Sequence, residues 1–130
     1  MSTQESPSIA SALAQCTGSE HQYAHSFMRS FRYTDGIQML AEMAGAYWLI
    51  DLAASHQTNR KVRAEAFQLW SIRKLPEGSQ NKAVAECRRD SGENPICRQY
   101  IEYTDFPFDD LGESFEFYVV DNVMLLKSEY

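Results

Sequence analysis

From Ala66 onward the chain is cut three times by turn chemistry: at Pro76-Glu77-Gly78-Ser79, at Asp90-Ser91-Gly92-Glu93-Asn94-Pro95, and at Phe106-Pro107-Phe108-Asp109-Asp110. Between these breaks lie short β-prone segments: Phe67 to Leu75, Ala83 to Arg89, Ile96 to Thr104 and Phe115 to Lys127. Such segments read as strands. Links this short hold no crossover, so consecutive strands are expected to pair antiparallel. A turn about Gly92 makes facing residue numbers sum to 184, which sets Cys87 opposite Cys97. Asp121-Asn122 suits a two-residue hairpin, because both residues tolerate positive φ.

The first half reads as helix. Ser6-Pro7 opens a short helix carrying Ile9, Leu13 and Cys16, which Gly18 closes. Tyr23, Phe27 and Phe31, with Ala24 and Met28 beside them, form a second apolar stripe. Asp35 with Gln38 makes a capping-box variant, and Ile37, Leu40, Ala41, Ala44, Trp48 and Leu52 keep helical spacing to about His56, with Gly45 admitting a close neighbour. Gln57 to Lys61 reads as an exposed connection. The expectation is one α+β domain over residues 1–130. Its N-terminal helices, about 7–57, pack on one face of a C-terminal antiparallel sheet of four to five strands, about 66–127.

Charge is unevenly placed. The formal net charge is −6, yet residues 1–100 carry 11 Lys/Arg against 10 Asp/Glu, while residues 101–130 carry Lys127 alone against eight carboxylates. That field repels phosphates and anionic lipid, so neither direct nucleic-acid binding nor a membrane role is expected of it, and a protein partner with a basic surface is. No apolar run reaches the roughly 18 residues of a membrane span. Met1 to Pro7 has neither the basic start nor the apolar middle of a secretory signal, so a cytoplasmic location is expected. Three cysteines without a Cys-x-x-Cys pair indicate reduced thiols, with neither a zinc ribbon nor a disulfide framework.

Few residues suggest chemistry. His21 and His25 stand four apart, the spacing with which a helix grips zinc, but Gln22 occupies the place of the catalytic Glu in His-Glu-x-x-His. No metal and no cofactor is therefore expected. Asp35, Asp51 and Asp105 lie in or beside apolar stretches, and each also has a structural reading as cap, buried hydrogen-bond acceptor or turn residue. A small hydrolase or other enzyme using His25 with Asp35 or Asp51 is the alternative reading.

Three stretches resemble a bacterial family of unknown function often carried on phages, plasmids and other mobile elements. They are Cys16 to His25, Tyr33 to Asp51 with its Gly-Ala-Tyr-Trp-Leu-Ile-Asp ending, and Ile101 to Pro107 together with Leu125 to Tyr130. The resemblance implies a mobile-element setting and no established activity. The leading expectation is a non-enzymatic binding protein, in that setting an anti-defence (anti-CRISPR-like) inhibitor. It would engage a basic, nucleic-acid-binding surface of a host complex through Glu102, Asp105, Asp109, Asp110, Glu113 and Glu116, with Phe106 and Phe108 as apolar anchors.

Overall fold

The computed structural model describes residues 8–18 and 20–130. The opening Ser6-Pro7 signal lies outside them. Among the described residues the chain forms five α-helices and one seven-stranded sheet, a mixed α+β architecture. In chain order these are α1 Ile9–Ala14, β1 Gln22–Ala24, β2 Arg32–Thr34, α2 Asp35–Ala44, α3 Tyr47–Ser55, α4 Arg60–Arg63, β3 Phe67–Lys74, β4 Ala83–Arg88, β5 Cys97–Ile101, α5 Phe108–Leu111, β6 Ser114–Val120 and β7 Val123–Leu126. The sheet order is β1-β2-β7-β6-β3-β4-β5.

The meander after Ala66 follows the turn chemistry. β3 pairs antiparallel with both β4 and β6, and β4 with β5. The turn at Gly92, in the left-handed region at φ 82°, sets Ala83 against Ile101 and Cys87 against Cys97. Asp121 and Asn122 both take positive φ, 50° and 67°, and fold β6 back onto β7. That sense of twist matches the twist of the strands it joins.

Two expectations fail before Ala66. Residues 22–34 are not helical: β1 and β2 form an antiparallel hairpin, with the Tyr23 and Tyr33 rings stacked at 5.6 Å. The i, i+4 aromatic spacing that suggested a stripe does not hold one buried face, since Phe27 is 91% exposed while Phe31 is buried. Pairing elsewhere in the sheet overrides the local pattern. β2 then pairs parallel with β7, so the sheet is mixed, has more than four to five strands and draws strands from both halves of the chain.

The expected long helix over 35–56 is two helices. Gly45 adopts φ 62° and its N–H bonds the Ala41 carbonyl, ending α2. A Cβ built there meets nothing, so this glycine serves a left-handed cap and not a close neighbour. The N-cap of α2 is Thr34, whose hydroxyl accepts from the Ile37 N–H at 3.3 Å, while Asp35 is the first helical residue. Glu129 reaches the same helix start, accepting from the Thr34 hydroxyl at 2.7 Å, the Gly36 N–H at 3.1 Å and the Leu126 N–H at 2.9 Å. Gly36 is required there: a Cβ would stand 2.6 Å from both the Glu129 carboxylate and the Leu126 side chain.

The core joins Ile37, Leu40, Leu49 and Ala53 of the helices to alternate strand residues, among them Trp70, Ile72, Cys87, Phe117 and Met124. The Trp70 and Phe117 rings lie nearly parallel at 6.2 Å. The polar atoms in this layer are satisfied. Gln57, expected to be exposed, is buried and exchanges two amide hydrogen bonds with Gln68, 2.9 and 3.0 Å, and the Trp70 indole N–H donates to the same Gln68 oxygen. The other alternate set, including Ser71, Val84, Glu86 and Tyr118, points to the opposite side of the pleat and has no member in that core.

Candidate functional site

The segment between β5 and β6 carries most of the acidic residues singled out above. Glu102, Asp105, Asp109 and Glu113 are exposed and make no ion pair among the described residues. The sequence leaves them there by folding its apolar neighbours inward. Phe106 is only 4% exposed, meets Trp48 edge-on at 6.3 Å and packs on Phe108 and Phe115. Phe106 is thus a core residue, which corrects its reading as a surface anchor. Phe108 is half-buried against the same cluster. The exposed ring of this segment is Tyr103, at 75%, which lies past the end of β5 although the strand was expected to run to Thr104.

Two of the expected contacts are engaged internally. Asp110 accepts from the Ile9 N–H at 2.7 Å and the Ala10 N–H at 3.3 Å, supplying the start of α1 with an acceptor for its unpaired donors. Glu116 is bridged to Lys127 at 2.7 Å, an ion pair that raises the Lys127 pKa. Beside the acidic loop a cleft of about 320 Å³ separates residues 104–109 from the β3–β4 connection. Asp105 and Asp109 line one wall, Lys74 and Lys82 the other. Glu77 stands on the same wall as the two lysines.

The histidine reading divides. His25 and Asp51 do meet, Nε2 to Oδ1 at 2.7 Å. The other ring nitrogen, Nδ1, accepts the backbone N–H groups of Phe27 and Met28 at 3.2 and 3.1 Å. With Nδ1 the acceptor of two donors, the ring proton sits on Nε2 and is donated to Asp51. Both nitrogens are committed to shaping the β1–β2 loop, and His25 is buried. Asp35 does not join them. It lies with His21, accepting that residue's N–H at 3.3 Å, and with Tyr23, whose pKa is raised by burial first and then by the Asp35 charge and hydrogen bond. His21 and His25 flank a strand and stand roughly 13 Å apart along extended backbone. Among the described residues no group of three His, Cys, Asp or Glu is placed to hold a metal.

Cys87 and Cys97 face one another as free thiols. Their mutual hydrogen bond, with burial added, pushes the Cys87 thiol up, and the same hydrogen bond holds Cys97 below the ordinary thiol range. No helix among the described residues is long and apolar enough to cross a membrane. No curated protein and no solved structure matches the chain. Over residues 7–130, however, it matches the model of a family of unknown function, DUF6876, and the chain belongs to that family.

Proposed function

We propose that this protein is a non-enzymatic binding protein that engages a basic surface of a protein partner through the acidic segment between β5 and β6. The observation that carries the reading is the set of exposed carboxylates at Glu102, Asp105, Asp109 and Glu113, without an ion pair among the described residues, in the segment that also carries the exposed ring of Tyr103. Unpaired charge of one sign accelerates encounter with an oppositely charged partner, and a large exposed aromatic supplies contact area that slows dissociation. Phe108 lines the neighbouring cleft, and Asp110 ties the segment to the start of α1. The commitment of both His25 nitrogens favours this reading over an enzyme. In the mobile-element setting that the sequence resemblance implies, the partner is a host complex whose groove holds nucleic acid, and the carboxylates stand in for phosphates.

The test is a comparative capture from bacterial extract with two baits, the wild type and a variant carrying Asp105→Lys, Asp109→Lys and Glu113→Lys. A protein retained by the wild type, lost with the variant and released by moderate salt supports the proposal, provided both baits melt at the same temperature. Identical retention by the two baits places the interface elsewhere.

A further inference from the structure

Beyond the acidic segment, the sheet residues that point away from the core form a second surface of opposite charge. Glu86 lies at its centre on β4, only 2% exposed. Three arginines from three strands close on this one carboxylate: Arg98 Nε at 2.8 Å, Arg88 Nη2 at 3.2 Å and Arg73 Nη2 at 3.7 Å. Burial acts to raise the Glu86 pKa, but the hydrogen bonds from Arg98 and Arg88 and the charges of Arg88 and Arg73 bring it below the ordinary carboxylate value. One negative charge thus organises three positive ones and leaves a local surplus. The Arg73 and Arg98 side chains remain about half exposed.

Aromatic rings share this side of the pleat. In the register, Val84 has Arg73 on one flank and Tyr100 on the other, and Leu69 has Arg88 and Tyr118. Val84 and Leu69 are buried on this side of the sheet, outside the main core cluster. Tyr100 is 55% exposed. Tyr118 packs with Phe67 and Tyr130 at 4.9 and 5.2 Å, and the Tyr130 ring is largely exposed.

We propose that this face binds single-stranded nucleic acid, with Arg73, Arg88 and Arg98 on the phosphates and Tyr100 stacking a base. One carboxylate of residues 101–130, Glu116, shares this side opposite Ser71, and Lys127 pairs with it, so it leaves the surplus of the β3, β4 and β5 arginines in place. An ionic network that fixes three long side chains before binding lowers the ordering cost of meeting a polyanion. Exposed rings beside those cations favour unpaired bases over an acidic protein: every base has a face to stack, whereas a carboxylate has none. They also favour a single strand over a duplex, whose base faces are already stacked.

The experiment is fluorescence anisotropy with labelled oligo-dT and oligo-rU of about 20 nucleotides, a duplex of the same length, and a polyglutamate peptide. Single strands should bind in preference to duplex and peptide, with log Kobs against log salt falling at a slope of about −2 for three neutralised phosphates. The double variant Arg73→Gln/Arg98→Gln should flatten that slope and weaken binding, and Tyr100→Ala should weaken it about tenfold without changing the slope. Tyr100 is exposed, so that variant retains the fold. The Asp105→Lys/Asp109→Lys/Glu113→Lys variant should bind the oligonucleotides at least as well as wild type, so loss of the protein partner and loss of nucleic-acid binding are read separately. No single-strand binding, equal or tighter binding of duplex or polyglutamate, or binding indifferent to both the arginine and the Tyr100 variants would overturn the proposal.

Discussion

The strands β3 to β6 and the trio β1, β2 and β7 belong to one sheet but are held in different ways. In the first group each link is antiparallel, and the β3–β4 and β4–β5 links are hairpins closed by local turns, while the β6–β7 hairpin joins the two groups. β2, by contrast, meets β7 in parallel, with Arg32 opposite Val123 and most of the chain between them. That pairing is reinforced by Glu129, which accepts from Thr34 and Gly36 at the start of α2 and from Leu126 at the end of β7. The meander therefore has much of its stability within itself, whereas the N-terminal hairpin depends on a segment far away in the chain.

Four substitutions would break or sharpen this contrast. Trp70→Ala, in the middle of β3 and fully buried, should cost about 3–5 kcal/mol in chemical denaturation and unfold the whole sheet together. A loss under about 1 kcal/mol would mean that the meander is not the stable half. Gly36→Ala should cost about 1–3 kcal/mol, because the new methyl group must displace Glu129 or Leu126. Its signature is regional: amide exchange should speed up in β1, β2 and β7 before β3 and β4, and uniform acceleration would erase the distinction.

Glu86→Gln should cost about 1–2 kcal/mol, a figure kept low because its arginine partners are partly exposed. Its pH dependence has a definite sign. The folded carboxyl titrates below the ordinary 4.5, so its stabilisation is present above that value and is lost as pH falls through the lower folded value. Melting temperature should thus fall more steeply on acidification from about pH 5 to pH 3 in wild type than in Glu86→Gln, and parallel profiles would remove Glu86 from the acid response. Smallest is Asp51→Ala, expected to cost less than about 1 kcal/mol because the Asp51 side chain is 70% exposed. Its readout is the nuclear magnetic resonance shift of His25 and the neighbouring Phe27 and Met28 amides. Unchanged shifts would show that the His25–Asp51 contact does not hold the β1–β2 loop.

What was legible in the sequence follows the same division. Turn residues are local signals, so the meander, the Cys87/Cys97 register and the Asp121-Asn122 hairpin could be read by counting. The parallel pair could not, because nothing near Arg32 names Val123 as its partner. Helical spacing also misled at 22–34, where Tyr23 and Tyr33 stack across strands, and at Gly45, where a left-handed cap looked like a packing glycine. The fully buried tryptophan is Trp70 on a strand, while Trp48, a member of the apolar helical stripe, is half-buried against Phe106. At the candidate site the positions of the exposed acids were legible from charge alone. The internal engagement of Asp110 was not, since its partners at Ile9 and Ala10 lie about a hundred residues away.

The clasp between Glu129 and Gly36 also orders events in time. A chain leaves the ribosome N-terminus first, at roughly 5–20 residues per second. Thr34, Gly36 and the open edge of β2 therefore wait several seconds for Val123, Met124 and Glu129 to be made. During that interval the β2 edge of the hairpin is unpaired and α2 lacks the carboxylate at its start, while β3, β4 and β5 already have one another. Docking of β7 is then the step that joins the two halves, and the interval before it is when that edge is open to pairing with another chain.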